Sequence, residues 1–331
     1  MSGENENKGA LIPAQPSALS RAGASSLISR GLNELLHAES AEHWREKGDT
    51  FWEQQDYTEA MRCYRAAAEK GDTLAMHHIA DLYFSGEGVD ENDTEAVHWL
   101  RMAADHGDAH AMFRIGRLYF FPSADCVPCD YSEAMRWYRM AADKGYVEAM
   151  GSIGTLYYLG GRGVPWDYAE AMRWYRMAAD KGDAWAIYRV GSLYQYGQGV
   201  KQDYAEAIRW HRMAAENGYE YAMTTIGDLY KDGHGVKKDS TEAVRWYRMA
   251  ADKGYSYAMD ILGHLYKDGK LVPADYAEAF FWYSLSAAAD ESTETNEKWR
   301  DEMATKLAPA KLFEVQERCR EWAKTHPTIP D

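Results

Sequence analysis

The chain has 331 residues, 46% of them apolar and 13% aromatic, and a formal net charge of −15. That balance gives ample core material and excludes a general nucleic-acid binder, which needs a basic footprint to replace counterions. Residues 1–36 hold three basic and three acidic side chains and residues 291–331 hold seven and nine, so the acidic excess lies in the body between them and suits a cationic or basic partner.

Residues 1–38 read as a flexible segment ending in a short amphipathic helix. Residues 1–24 are rich in Ser, Gly, Ala, Asn and Pro, the composition of a chain that cannot bury enough apolar surface to order itself. They lack the basic and apolar regions of a signal peptide. No run in the chain approaches the roughly 18 apolar residues that cross a bilayer. Four cysteines, Cys63, Cys126, Cys129 and Cys319, are too few and too irregular for a disulfide framework. These features predict a cytoplasmic protein with no membrane contact. Leu27, Ile28, Leu32, Leu35 and Leu36 share a helical face. Two uses stay open for it, a cap on the helices that follow and an arm that docks on a partner or in a groove. Ser20, Ser25, Ser26 and Ser29 lie among Arg21 and Arg30, where phosphorylation would add regulatory charge.

From residue 39 to residue 290 the sequence is periodic. The Glu-Ala pair recurs at Glu59, Glu95, Glu133, Glu170, Glu206, Glu242 and Glu278, at intervals of 36, 38, 37, 36, 36 and 36 residues. Such a period marks stacked supersecondary units with an extended binding surface. Two helices fit in each. In residues 183–218 the first runs from Asp183 to Tyr196, with Ala186, Val190, Leu193 and Tyr194 on one face. Gly191 sits beside that face, and Ala80, Gly116, Gly154, Gly227 and Gly263 repeat it. A helical glycine costs roughly 1 kcal/mol, so its recurrence predicts a close approach of two helix backbones. Gly197 and Gly199 form the turn.

The second helix opens at Asp203, with Glu206 three residues on. This is an acidic capping box in which each side chain is expected to take a free N–H. It recurs as Asp56/Glu59, Asn92/Glu95, Asp130/Glu133, Asp167/Glu170, Asp239/Glu242 and Asp275/Glu278. Ala207, Trp210, Ala214 and Ala215 are spaced as a buried stripe, and the helix stops at a glycine (Gly71, Gly107, Gly145, Gly182, Gly218 or Gly254 in the several units). The prediction is an all-α stack of seven antiparallel helix pairs.

The elements AM-x-x-IG-x-LY, G-x-GV and DY-x-EA-x-x-WY-x-x-AA-x-x-G resemble the Sel-1-like repeat, a relative of the tetratricopeptide repeat. The first unit reads more like a tetratricopeptide repeat. The turn at Phe121–Asp130 lacks the glycines, and Leu271 stands where the last turn's second glycine belongs. The resemblance implies a right-handed superhelical solenoid serving as a scaffold or adaptor for protein complexes, often in bacterial signalling or host contact, and implies no chemistry.

Beyond Asp290 the period is lost. Residues 291–331 read as two capping helices and a short tail, Lys298–Leu307 and Pro309–Thr325, the second with Leu312, Val315, Cys319 and Trp322 on one face. Cys126 and Cys129 form a C-x-x-C pair, a redox couple or half a zinc site in other settings. No second pair lies nearby, so no metal or cofactor is expected. His77, His78, His106 and His110 read as exposed helix residues. The usual nucleophile and phosphate signatures are absent, which predicts no enzyme and no small-molecule substrate. Arg136, Arg139, Arg173, Arg176, Arg209, Arg212, Arg245 and Arg248 read as a solvated face balanced by same-helix acids, as in Glu170 with Arg173 and Asp180 with Arg176. Trp137, Trp174, Trp210 and Trp246 read as structural.

The informative positions are those that vary between units. On the first helices these include His78, Arg114, Arg189 and Thr225, with Arg117 three residues beyond Arg114, and Trp185, Tyr221 and Tyr257 four residues before the register of Arg189. Tyr188 adjoins Arg189. In an architecture of this kind those faces line the concave groove, and the aromatics beside Arg189 have a hot-spot composition. The sequence predicts a non-catalytic scaffold gripping a partner peptide or helix there. A translocated factor that binds host or rival-cell proteins is the alternative, and a metal or redox protein using Cys126 and Cys129 a more remote one.

Overall fold

A computed structural model describes residues 40–121, 129–161, 163–289 and 294–326. The N-terminal segment, with the helix expected there and its serines, lies outside the described residues, as do Cys126 and most of the glycine-poor turn. The chain forms two compact units, divided between Ile115 and Gly116. The first contains α1 (Ala41–Glu53), α2 (Tyr57–Ala68), α3 (Thr73–Ser85), α4 (Asp93–Asp105) and the start of α5 (Ala109–Phe120). The second takes in the rest of α5, then α6 (Tyr131–Asp143), α7 (Val147–Leu159), α8 (Tyr168–Ala179), α9 (Ala184–Tyr196), α10 (Tyr204–Glu216), α11 (Glu220–Asp232), α12 (Ser240–Ala251), α13 (Ser256–Asp268), α14 (Tyr276–Ala289), α15 (Glu294–Thr305) and α16 (Pro309–Thr325). Within each unit first and second helices pair, and each pair packs on the next. Among the described residues the only β pairing is an isolated bridge between Gly161 and Val164.

The core of each pair is a ring from the second helix set into a gap on the first. Tyr64, Tyr138, Tyr175, Tyr247 and Tyr283 are all buried, and they face Gly48, Gly116, Gly154, Gly227 and Gly263. A Cβ on any of those glycines would lie 2.5–2.7 Å from the ring, closer than packed atoms come. The recurrent glycine therefore admits an aromatic side chain, and the expected contact between helix backbones is not its purpose. One pair inverts the solution: Ala80 on α3 carries the extra carbon, and a smaller Leu100 occupies the ring position on α4, both fully buried. The buried stripe shifts accordingly. Ala207, Ala214 and Ala215 are buried, but Trp210 is only half-buried, and its neighbour His211 fills the core against Gly191.

Helix starts follow half of the expected box. Asp167 accepts from the N–H groups of Ala169 and Glu170 at 2.9 and 3.0 Å, and Asp130, Asp203, Asp239 and Asp275 do the same in their units. The glutamate does not reach back. The cap residue's own N–H is already donated to the carbonyl of a tyrosine on the preceding helix, as from Asp167 to Tyr157 at 2.9 Å. The glutamate instead meets the arginine one turn on, as in Glu170 with Arg173 and Glu206 with Arg209. The second arginine departs from expectation too. Arg176 leaves Asp180 and donates to the hydroxyl of Tyr194, 18 residues on and in the next pair, at 2.6 Å. Arg65, Arg139, Arg212 and Arg248 make the same bond to Tyr83, Tyr157, Tyr230 and Tyr266. Second helices end at glycines with φ between +87° and +91°, a region a side chain rarely adopts.

Both α15 and α16 pack on α14, whose Phe280, Phe281, Trp282 and Tyr283 are all buried. Here α15 starts four residues earlier than the sequence suggests. Val315 is the most buried residue of α16, and Arg318 makes two hydrogen bonds to Glu278 and lies 3.8 Å from the Phe281 ring centre.

Candidate functional site

Each first helix presents three variable registers, and the structure gives them different duties. The register of Thr155, Asp228 and His264 receives the core tyrosines, whose hydroxyls meet them at 3.3, 2.8 and 2.8 Å. In the first unit Tyr64 reaches Asp49 at 3.0 Å in the same way. These side chains satisfy buried phenols and are structural.

In the first unit the predicted site residues are engaged internally. The His78 ring stacks on Tyr64 at 4.7 Å and lies 3.6 Å from Asp49. Burial lowers its pKa below the ordinary histidine value. Arg114 is ion-paired with Asp81 and lies 3.2 Å from the Nδ1 of His77. His77, expected to be exposed, is buried, and its Nε2 sits 3.3 Å from Asp108. Burial alone would raise the Asp108 carboxyl, but hydrogen bonds from His77, the Ala111 N–H and Thr73 outweigh it and hold the group well below the usual carboxylate range. Arg117 belongs to the second unit and is exposed.

The second unit gathers the aromatic members. Arg189, on α9, is half-buried, with its guanidinium 4.3 Å from the Tyr158 ring centre, 5.4 Å from Tyr175 and 5.7 Å from Trp185. Its Nε is buried without an acceptor. Burial works against its charge, but the phenol oxygens of Tyr175 and Tyr158 hold its pKa above the ordinary value. Trp185 is half-buried, against the expectation of exposure, because it lies over Gly151 and edge-on to Tyr175 at 5.5 Å. Tyr188 contacts Tyr219 and Tyr221, both at 5.2 Å, Tyr221 meets Tyr255 at 6.3 Å, and Tyr255 meets Tyr257 at 6.0 Å. Tyr221 is 43% exposed and Tyr257 52%. Thr225 turns its hydroxyl onto the Tyr221 carbonyl at 2.9 Å. Burial raises the phenol pKa of Tyr188 and Tyr219, and burial with four neighbouring phenols brings Tyr255 to about 12. All three are hydrogen-bond donors at neutral pH.

Tyr158, Tyr219 and Tyr255 were missed by sequence reasoning, and a signal existed for two of them. The residue before a first helix is the capping aspartate at Asp72, Asp108 and Asp183, each bonded to the third N–H onward. Before α11 and α13 it is Tyr219 and Tyr255, which make no side-chain cap. A cap is worth about 1 kcal/mol, so placing an aromatic ring there is a local sacrifice. Among the described residues no three His, Cys, Asp or Glu side chains converge as a metal-holding group. Cys129 carries a free, exposed thiol.

Seven tandem matches to the Sel1 repeat family fall on this fold, over residues 41–72, 73–108, 109–146, 147–183, 186–219, 220–255 and 256–291. The chain belongs to the Sel1 repeat family. The unit closest to a tetratricopeptide repeat in its sequence is matched with the rest. A Sel1 repeat protein from Oxalobacter formigenes is similar at 33% identity and a TM-score of 0.63, over 74% of this chain and 99% of that one. The c5321 protein of uropathogenic Escherichia coli strains, a protective antigen with an SLR fold, is similar at 27% identity and a TM-score of 0.64, over 87% of this chain and 62% of its own. This chain thus spans less than two thirds of that antigen. No curated protein matches this chain. Repeats of this family generally mediate protein–protein interaction. No helix among the described residues is long and apolar enough to cross a membrane.

Proposed function

We propose that this Sel1 repeat protein is a non-catalytic cytoplasmic scaffold that holds a peptide or helix of a partner protein along its first helices. The contact centres on Trp185, Tyr188, Arg189, Tyr221, Thr225 and Tyr257, all within the second unit. The observation that carries this reading is the continuous set of tyrosine rings across α9, α11 and α13, with Tyr221 and Tyr257 open to solvent. Tyrosines offer large rigid contact area with a polar tip and dominate many protein interfaces. Affinity purification with mass spectrometry identifies the partner. The Tyr221→Ala/Tyr257→Ala protein is expected to lose it while keeping its melting temperature, because both rings are exposed. Retained capture moves the contact to another face.

A second reading, action outside the cell on host or rival-cell proteins, takes its support from the similarity to a protective antigen. Cell fractionation separates the two, since protein recovered outside intact cells ends the cytoplasmic reading.

A further inference from the structure

We infer that the partner segment is anchored by an acidic side chain seated on Arg189, within a stretch otherwise apolar or aromatic. This rests on the first-helix reading and adds the chemistry of the occupant. The net charge of −15 suggests a basic partner, but the aromatic face has a different local character. Two other cations of this unit are ion-paired: Lys231 with Asp228 on α11, and Arg318 with Glu278 beside a hollow of about 530 Å³ against α14 and α16. Arg189 is placed differently. Rings surround its guanidinium, Nε has no acceptor, and among the described residues no carboxylate lies within ion-pair distance of it.

A cation drawn partly out of water into aromatic walls, with no counter-charge, is left with electrostatic potential that a carboxylate can satisfy. The planar guanidinium suits two parallel bonds to such a group. The rings supply the rest of the specificity. Tyr158 on α7 lies to one side of Arg189, and Tyr221 on α11 and Tyr257 on α13 lie to the other. At ~8–10 Å per helix contact the four helices span about 25–30 Å, the reach of roughly eight or nine extended residues. A chain passing over Arg189 covers both flanks, whereas a chain ending there covers one, so the carboxylate is assigned to an Asp or Glu side chain and not to a C-terminus.

The test is a selection of random 12-residue phage-displayed peptides on the immobilised full chain, followed by titration of the enriched sequences as C-terminally amidated synthetic peptides. Enriched peptides are expected to share one Asp or Glu flanked by apolar or aromatic residues. Affinity is expected to fall at least tenfold with Arg189→Gln, and equally when the peptide's acid is exchanged for its amide. The peptide-side exchange carries the test if Arg189→Gln disturbs the fold. Peptides that need Tyr221 and Tyr257 but carry no acid and ignore Arg189→Gln overturn the acidic anchor while leaving the first-helix reading standing. Peptides that bind only with a free C-terminal carboxylate overturn the side-chain assignment. A selection that yields no binder, or binders indifferent to all three residues, overturns both.

Discussion

His211 stands over Gly191 in the position that Tyr175 takes over Gly154, so one buried imidazole replaces a recurrent phenol. Its Nε2 lies 3.0 Å from Gln195 Oε1 and its Nδ1 has no partner. Burial lowers its pKa from 6.5 to about 4. The unfolded chain therefore binds a proton more readily than the folded one between those values. Stability from this group is full above pH 6.5, declines as pH falls toward 4, and changes no further below it. Half-buried His78, its pKa lowered by burial as well, adds to the same slope, and the more exposed His110 and His264 shift in the same direction. His211→Tyr restores the common residue and is expected to remove part of the acid-side loss, about 1–3 kcal/mol, in urea melts at pH 7 and pH 4.5. An unchanged slope would show that His211 is not buried neutral.

The gap beneath each ring gives a second expectation. Gly227→Ala raises helix propensity by roughly 1 kcal/mol, yet its Cβ would stand 2.6 Å from the Tyr247 ring. Overpacking of that kind costs about 1–3 kcal/mol, so the substitution is expected to destabilise. Adding Tyr247→Leu reproduces the Ala80/Leu100 arrangement, and the double variant is expected to lose less than the sum of the single losses. Additive losses in a double-mutant cycle would remove the ring-in-gap account.

The half-formed box separates two neighbouring acids. Asp167→Ala is expected to cost about 1 kcal/mol of stability. Glu170→Gln is expected to cost a few tenths at most, since its exposed pair with Arg173 is screened by solvent. Equal losses in chemical denaturation would restore the reciprocal capping box.

Tyr255 combines a helix start with the aromatic face, so stability and recognition part company there. Tyr255→Asp and Tyr255→Ala both remove the ring contacts to Tyr221 and Tyr257, and both are expected to weaken partner capture. The aspartate can cap α13 as Asp183 caps α9 and is expected to be about 1 kcal/mol more stable than the alanine. Equal melts would mean that the start of α13 does not need a cap.

Seven helix pairs, their boundaries and most of their punctuation were legible in the sequence, because local physics sets them. Capping aspartates, terminal glycines and alanine spacing each act within one or two turns. What escaped was every interaction that joins residues some 16 or more positions apart. The tandem WY dipeptide marks a core ring, but only the paired helix shows that Tyr175 and not Trp174 goes inside. The charge pattern makes Asp180 a good mate for Arg176, yet the hydroxyl of Tyr194 is nearer once the next pair is stacked. Periodicity located Arg189, Tyr221 and Tyr257 on the variable face. It could not tell that Trp185 would be half-covered or that His78 and Arg114 would fall in a different unit.

The bond from Arg176 to Tyr194 spans 18 residues, half of a 36-residue interval, and recurs unchanged in four other pairs. Donor and acceptor thus belong to successive units yet are written identically in each. A tandem duplication or loss of one whole interval leaves every such junction with a correct mate, whatever the number of units. A chain built this way can lengthen or shorten its recognition surface by recombination, without a single compensating substitution at the seam.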